Sequence, residues 1–269
     1  MRLASIHTYP VKSFHRVDHD VATVEPWGLA GDRRWVVTDD AGRMLTQREE
    51  PRFTRFQPSL VDGALVLSTP GRADLRAPAE PGELVEVSVF RTPVLASRVG
   101  AEADAWLSAA LDRKVHLLYL DDPTRRAVDP AYSRPDDRVS LADAYPLLLA
   151  NPASLAQLND WIAEAQSGEG PLPITRFRPN VVVDGAPAWA EDGWIGRRLR
   201  IGTVAFRMPK PCDRCVVTTT DQETGERGQE PLRTLGRYRN IDQKLLFGLN
   251  LIPETTGEIR VGDSVTTEG

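Results

Sequence analysis

The chain has 269 residues, 41% of them hydrophobic, and a formal net charge of −5 at pH 7. This length suffices for one large domain or two packed ones, and the acidic balance argues against a general binder of nucleic acids or membrane surfaces. The longest apolar run, near residues 145–150, is too short to span a bilayer.

Short strand-like runs dominate the first half of the chain. Asp62-Gly63 separates two apolar runs, residues 59–61 and 64–67, and this pattern predicts a two-residue hairpin. Apolar and polar residues alternate over 84–90, as in a half-buried strand. Further predicted elements are strands at the N-terminus and at 34–38, and a turn at 39–42.

Helical periodicity occurs in two segments. The first covers residues 101–111, and the second covers 152–166 after Asn151, a residue suited to cap a helix. The apolar positions are Ala105, Trp106, Ala109 and Ala110 in the first segment, and Leu155, Leu158, Trp161 and Ile162 in the second.

The second half adds more strands than helices. A loop rich in glycine and proline covers 166–173, and residues 257–265 are expected to close the last sheet. Closely spaced strands with glycine and proline turns favour a barrel or a sandwich, so the predicted class is mainly β with some α, an α+β fold. The other predicted strands are 180–183, 198–201, 204–208 and 216–220.

The two cysteines, Cys212 and Cys215, lie in a polar turn beside Lys210 and Arg214. Neighbouring cations favour the thiolate, which binds metals or attacks electrophiles. A buried packing pair and a disulfide are the alternatives, since free cysteine commonly packs in a core. With few cysteines and no apolar signal segment at the N-terminus, we predict a cytoplasmic protein.

Several kinds of cysteine site fit the sequence poorly. One CxxC cannot supply the four ligands of structural zinc, and a β-branched run follows Cys215 where a thioredoxin-like motif would begin a helix. The four histidines share no ligand spacing and support no Cys–His pair. A thiolate that binds a soft metal, or one that carries sulfur, remains.

Basic residues gather in short, separate motifs. Arg176 and Arg178 alternate along a segment expected to be extended, which would turn both side chains the same way. Each motif alone is typical of a solvated surface. Guanidinium and ammonium groups also bind phosphate, so together the motifs predict one anionic ligand. The other members are Lys12, Arg33, Arg34, Arg48, Lys210 and Arg214.

These motifs occur in an order that resembles MOSC proteins with a MOSC N-terminal β-barrel, a family that includes the mitochondrial amidoxime-reducing component and bacterial proteins that detoxify hydroxylaminopurines. The resemblance covers nearly the whole chain. It implies domains at 1–122 (N-terminal β-barrel) and 123–269 (MOSC), and leaves open whether the N-terminal strand packs with the MOSC part. The motifs are residues 9–13, 28–33, 45–51, 141–146, 153–155, 176–180, 212–221 and 257–263.

The resemblance implies a molybdenum cofactor, a pterin dithiolene with a terminal phosphate. Cys215 corresponds to the family's molybdenum ligand and would be the catalytic residue. Cys212 has no assigned role. The residues implied to contact the cofactor are Lys12, Ser13, Arg33, Ser154, Arg178, Asn180, Arg214 and Cys215.

The implied activity is two-electron reduction of small N-oxygenated compounds such as hydroxylamines, amidoximes and hydroxylated bases. The chain lacks a flavin motif and the cysteine cluster of an iron–sulfur module. The resemblance therefore implies a separate electron-transfer protein of the ferredoxin or flavin-reductase type. The alternatives are a sulfur carrier that uses Cys215 and a protein that binds or transfers the cofactor.

Overall fold

The computed structural model describes residues 1–89 and 92–269. Strands dominate these residues and three α-helices accompany them, which confirms the predicted α+β class. The helices are α1 Ala101–Leu111, α2 Pro152–Glu164 and α3 Leu232–Tyr238. The strands are β1 Arg2–Thr8, β2 Val17–His19, β3 Val21–Glu25, β4 Gly28–Leu29, β5 Trp35–Thr38, β6 Gln57–Val61, β7 Ala64–Ser68, β8 Leu75–Ala77, β9 Leu84–Val89, β10 Thr92–Arg98, β11 His116–Tyr119, β12 Leu147–Ala150, β13 Val181–Asp184, β14 Arg198–Ile201, β15 Val204–Arg207, β16 Pro211–Asp213, β17 Asn240–Ile241, β18 Lys244–Pro253, β19 Gly257–Arg260 and β20 Val265–Glu268.

The largest sheet has ten strands and draws on both ends of the chain. Its order is β2-β1-β13-β12-β18-β15-β14-β20, with β16 and β17 also paired to β18. Because β1 lies antiparallel to β13, the N-terminal strand completes a sheet built mainly from the second half. Apolar side chains from β1, β12, β13 and β18 fill one core beneath this sheet, including Leu3, Ile6, Leu149, Val181 and Leu249.

Three smaller sheets surround the ten-stranded one. Their orders are β5-β11-β10-β9, β19-β3-β4 and β6-β7-β8. The predicted hairpin joins β6 to β7, and Asp62 and Gly63 both adopt the positive φ of a two-residue turn. The strand predicted at 84–90 is present as β9, and Phe90 lies outside the described residues.

The helices α1 and α2 form where the sequence predicts them. The side chain of Asn151 accepts a hydrogen bond from the Ala153 N–H and caps α2, whose Leu155, Leu158 and Ile162 are buried. The predicted face of α1 is wrong in part: Ala103, Leu107 and Leu111 are buried, while Ala105 and Ala109 are exposed. Trp106 and Ala110 of the predicted face are half-buried against the same core. Two leucines remove more apolar area from water than alanines do, and this difference decides which face packs inward.

Two further strand predictions need correction. Residues 216–219 form a 3₁₀ turn, Val216–Thr219, in which the Thr218 and Thr219 hydroxyls bond to the carbonyls of Cys215 and Val216 at 2.9 and 2.8 Å. Such local side-chain bonds compete with a sheet ladder. The segment 257–265 holds two strands in different sheets, since β19 pairs with β3 and β20 pairs with β14.

None of the helices in the described ranges combines the length and apolar content that a bilayer crossing requires.

Gly248 allows a close approach within the central sheet. It has φ +78°, and a Cβ there would lie 2.5 Å from the carbonyl oxygen of Leu149. We expect Gly248→Ala to lower the free energy of unfolding by about 1–3 kcal/mol, through backbone strain and the clash. Urea titration measures this change.

Gly236→Ala in α3 is the matched control. A Cβ there would meet no described atom within 4 Å. Alanine is the better helix former, so this variant should have a free energy of unfolding up to about 1 kcal/mol higher than that of the wild type. Equal urea midpoints for Gly248→Ala and the wild type would contradict the argument.

Candidate cofactor-binding cavity

A cavity of about 240 Å³ opens between segments from both halves of the chain. Its walls come from the loop after β1, the turn before β5, the segment before β12, the residues before β13, and the strand β16 with the 3₁₀ turn that follows. Seven of the eight predicted cofactor residues line it: Lys12, Ser13, Arg33, Arg178, Asn180, Arg214 and Cys215.

Lys12 places a buried ammonium at the cavity wall. Its Nζ donates to the Leu141 carbonyl at 2.7 Å and to Oδ1 of Asp143 at 2.6 Å. Burial lowers the pKa of Lys12 from 10.5 to about 8, against the opposing effect of the Asp143 carboxylate. Burial also raises the pKa of Asp143, but the cations around it, Lys12 first, outweigh burial and hold that pKa below its usual value.

Tyr9 lies between two guanidinium groups. The Cζ atoms of Arg33 and Arg178 are 4.3 and 4.0 Å from its ring centroid. The Tyr9 hydroxyl donates to the Pro179 carbonyl, and the Tyr9 N–H donates to the buried carboxylate of Asp32. An electron-rich ring between two cations reduces the cost of holding like charges together, so Tyr9 keeps both arginines at the cavity.

Three of the lining residues have left-handed backbone conformations. Ser13, Arg33 and Arg178 have φ values of 70°, 46° and 53°. For residues other than glycine this region costs about 1–2 kcal/mol each, and such strain concentrates at functional sites. The segment around Arg178 is therefore not extended as predicted. It is a 3₁₀ turn, Ile174–Phe177, that ends at Arg178.

Two glutamines connect the arginine wall to the first half of the chain. Arg178 donates to the Phe14 carbonyl and to Oε1 of Gln222, each at 2.8 Å. Gln47 donates to the same oxygen at 3.0 Å and to the Ser13 carbonyl at 2.7 Å. This network is buried and fixes Arg178 relative to Ser13.

The side chain of Asn180 is committed to protein contacts. Its Oδ1 accepts from Arg33 and from the Leu148 N–H, and its Nδ2 donates to the His7 carbonyl. Asn180 lines the cavity, but these bonds chiefly orient Arg33 and join β1 to β12.

Each cysteine has its own guanidinium partner. Nη2 of Arg48 donates to Sγ of Cys215 at 3.2 Å, and Nη1 of Arg214 donates to Sγ of Cys212 at 2.9 Å. Both thiols are free and half-buried. Burial raises the pKa of the Cys212 thiol, and Arg214 offsets only part of that rise, contrary to the lowered value that the sequence suggests.

Ser154 lies away from the cavity. It is fully buried at the start of α2, where its hydroxyl donates to Oε1 of Glu191 at 2.7 Å and accepts from the Trp189 N–H. Asn151 donates to the other oxygen of Glu191. The Ser154 hydroxyl therefore stabilises the buried carboxylate of Glu191. Its predicted contact with the cofactor has no support in the geometry, because Ser154 does not line the cavity.

Several cavity residues are not among the predicted cofactor contacts. Arg48 and Lys210 belong to the basic motifs for which the sequence predicts a shared anionic ligand, and Asp143 and Tyr145 belong to the motif at residues 141–146. Asp143 is the only charged residue of the motif at residues 141–146, and nothing in that motif indicates a cationic partner. Its partners Lys12 and Arg48 are far away in sequence, so no local pattern reveals the pairing.

Comparison with known proteins agrees with the motifs. The family model of the MOSC N-terminal beta barrel domain matches residues 1–114, and that of the MOSC domain matches residues 136–266. Mitochondrial amidoxime-reducing component 1 of Homo sapiens is 34% identical to the chain, and the match covers 98% of this chain and 82% of that protein. Mitochondrial amidoxime reducing component 2 of Bos taurus is 31% identical, with the same two coverages.

A solved structure, the YUAD protein of Bacillus subtilis, aligns over 99% of this chain and 94% of its own at 11% identity, with a TM-score of 0.42.

The chain belongs to the MOSC family, with a MOSC N-terminal barrel domain followed by a MOSC domain. The predicted boundary between residues 122 and 123 stays a prediction.

We expect Tyr9→Leu to weaken anion binding in the cavity, because Arg33 and Arg178 lose the ring between them. A cation–π contact contributes about 0.5–2 kcal/mol, so the affinity for sulfate should fall severalfold. Calorimetric titration with sulfate measures it. Tyr9→Phe keeps the ring and should bind nearly as the wild type does, and equal affinity in the leucine variant would rule out the positioning role.

Sulfate affinity should also fall as the pH rises through about 8, where Lys12 loses its proton. Sulfate keeps its charge over this range, and arginine stays protonated. Calorimetry on either side of this pH measures the change, and the difference between wild type and Lys12→Met reports Lys12. Lys12→Met should bind sulfate weakly with a shallower pH profile, and an unchanged slope in that variant would remove Lys12 from the anion site.

Proposed function

We propose that this protein is a molybdenum-cofactor-dependent reductase of N-hydroxylated or N-oxygenated small molecules. Membership of the MOSC family, together with relatives named as amidoxime-reducing components, supports a cofactor-associated, N-reductive role. The proposal adds the substrate class, the cofactor and the residues that hold it.

One observation carries the proposal: cations from separate turns converge on the cavity that also holds Cys215. In a chain of net charge −5, six cationic side chains line this cavity beside only two carboxylates, those of Asp143 and Asp213. Such a set suits a phosphate-bearing ligand. The six are Lys12, Arg33, Arg48, Arg178, Lys210 and Arg214.

Unsatisfied polar atoms support the same fit. Nε of Arg214 and the hydroxyl of Tyr145 are buried and have no hydrogen-bond partner among the described residues. Both residues line the cavity. Buried donors without partners are costly, so a polar ligand that accepts from them would be stabilised.

In this assignment the cofactor, when bound, supplies two-electron chemistry at molybdenum, and the protein supplies position and charge. Cys215 would provide the sulfur ligand to the metal, and Nη2 of Arg48 lies 3.2 Å from its Sγ. Lys12, Arg33 and Arg178 hold the phosphate. The net reaction is R–NHOH + 2 e⁻ + 2 H⁺ → R–NH₂ + H₂O, with the electrons delivered by a separate electron-transfer protein.

The cellular location remains a prediction. The sequence predicts the cytoplasm, whereas the curated relatives described above are named as mitochondrial. A role in detoxification is likewise part of the proposal.

We expect holoenzyme from a molybdate-supplied host to contain about one molybdenum per chain, and Cys215→Ser to lose both the metal and the reduction of an amidoxime. Elemental analysis, pterin fluorescence and thermal unfolding measure metal, cofactor and fold. Serine is similar in size, so unfolding should change little.

Cys212→Ser is the matched control, since Cys212 is bonded to Arg214 and carries no ligand role. It should keep its molybdenum. Full metal content in Cys215→Ser would overturn the ligand assignment. Persulfide on Cys215 in wild-type protein without molybdenum would favour the sulfur-carrier alternative.

A further inference from the structure

A surface beside the cavity combines exposed apolar groups with several cationic side chains. It is formed by α3, by β17 and by the turn into β18, and we call it the α3–β17 surface. Its members are Arg233, Arg237, Tyr238, Ile241 and Lys244, with Val216 at its edge.

This surface adjoins the cysteine segment. The Arg214 N–H donates to the Leu245 carbonyl at 2.7 Å, and Nζ of Lys244 lies 3.9 Å from a carboxylate oxygen of Asp213. The 3₁₀ turn that begins directly after Cys215 packs on α3. The α3–β17 surface therefore lies next to the segment whose side chains line the cavity.

The apolar side chains of this surface are exposed to solvent. Tyr238, Ile241 and Val216 are 50%, 47% and 39% exposed. Asp242 and Gln243 adopt positive φ and form a tight hairpin turn, which presents Ile241 and Lys244 on the surface. Exposed apolar residues rimmed by charges are typical of protein–protein contacts.

The charge of the surface is opposite to that of the whole chain. Residues 233–244 contain four cations and one carboxylate, Asp242. Arg239 pairs with Asp192 at 2.8 Å and Lys244 with Asp213 at 3.9 Å. Arg233 and Arg237 are exposed and form no ion pair within 4.0 Å in the described part of the chain, so they carry the excess. A local cation excess on an acidic protein attracts and orients an acidic partner.

We propose that the α3–β17 surface is the docking site of an acidic one-electron carrier protein that supplies the cavity with electrons. This inference rests on the proposed reductase function. Two reduced carriers each lose one electron, and the two electrons with two protons convert N–OH into N–H and water. A carrier seated here lies next to Cys215, and electron transfer slows steeply with distance.

An acidic plant-type [2Fe–2S] ferredoxin is the probe. We expect the double variant Arg233→Glu/Arg237→Glu to weaken calorimetric binding of ferredoxin to the holoenzyme by about tenfold or more at low ionic strength, and added salt to weaken wild-type binding. Reduction of an amidoxime driven by reduced methyl viologen should be unchanged, because this small donor needs no docking surface.

The control is Arg72→Glu/Arg76→Glu, the same charge change on exposed arginines in and beside β8. It should bind ferredoxin as the wild type does. Basic cytochrome c, a carrier of opposite charge, should not compete with ferredoxin for this surface.

Equal ferredoxin affinity in wild type and Arg233→Glu/Arg237→Glu would overturn the docking site. So would displacement of ferredoxin by cytochrome c, or a loss of viologen-driven turnover in the double variant, which would indicate a substrate-binding surface. Absence of viologen-driven turnover in wild-type holoenzyme would instead overturn the reductase function, while the binding comparison still decides the docking site.

Discussion

The site depends on buried cations whose hydrogens are accepted by main-chain carbonyl groups of distant turns. A buried charge without a partner is costly, and so is a buried carbonyl without a donor. A hydrogen bond between the two satisfies both groups. The cations therefore stabilise the turns, and the carbonyl groups of the turns stabilise the buried cations. The buried pairs are Lys12 with Leu141 and Arg178 with Phe14, and the half-buried Arg214 donates to Phe177 in the same way.

Arg126 extends this principle behind the cavity wall. It is buried and donates to the carbonyls of Ser140, Ala142 and Asp143, and its burial lowers its pKa to about 10. The main chain of the segment that carries Asp143 is therefore held by Arg126, while the Asp143 carboxylate accepts a hydrogen bond from Lys12. Charges arranged in this way need little rearrangement when an anion arrives, and such preorganisation favours binding.

Local patterns in the sequence predicted local structure well. The periodicity that defines α2, the cap at Asn151 and the Asp62-Gly63 hairpin depend on neighbours within a few residues, and all three are present. The chemistry of the basic motifs predicts one shared anionic ligand, and the family resemblance names residues that would hold it. Six of the eight basic residues line one cavity, whereas Arg34 and Arg176 do not.

The failures have two causes: local side-chain bonds that compete with the strand propensity of a run, and contacts between segments far apart in the sequence. The β-branched run after Cys215 forms a 3₁₀ turn because its threonine hydroxyls bond to nearby carbonyls. Ser154 is engaged by Glu191, and Asp143 by Lys12, across long stretches of chain. The pairing of β1 with β13 also sets an order of events on the ribosome, since β1 leaves the exit tunnel long before its partner has been synthesised. Until then one edge of β1 is open, so nascent chains cut short before β13 would be prone to aggregate and to need chaperones.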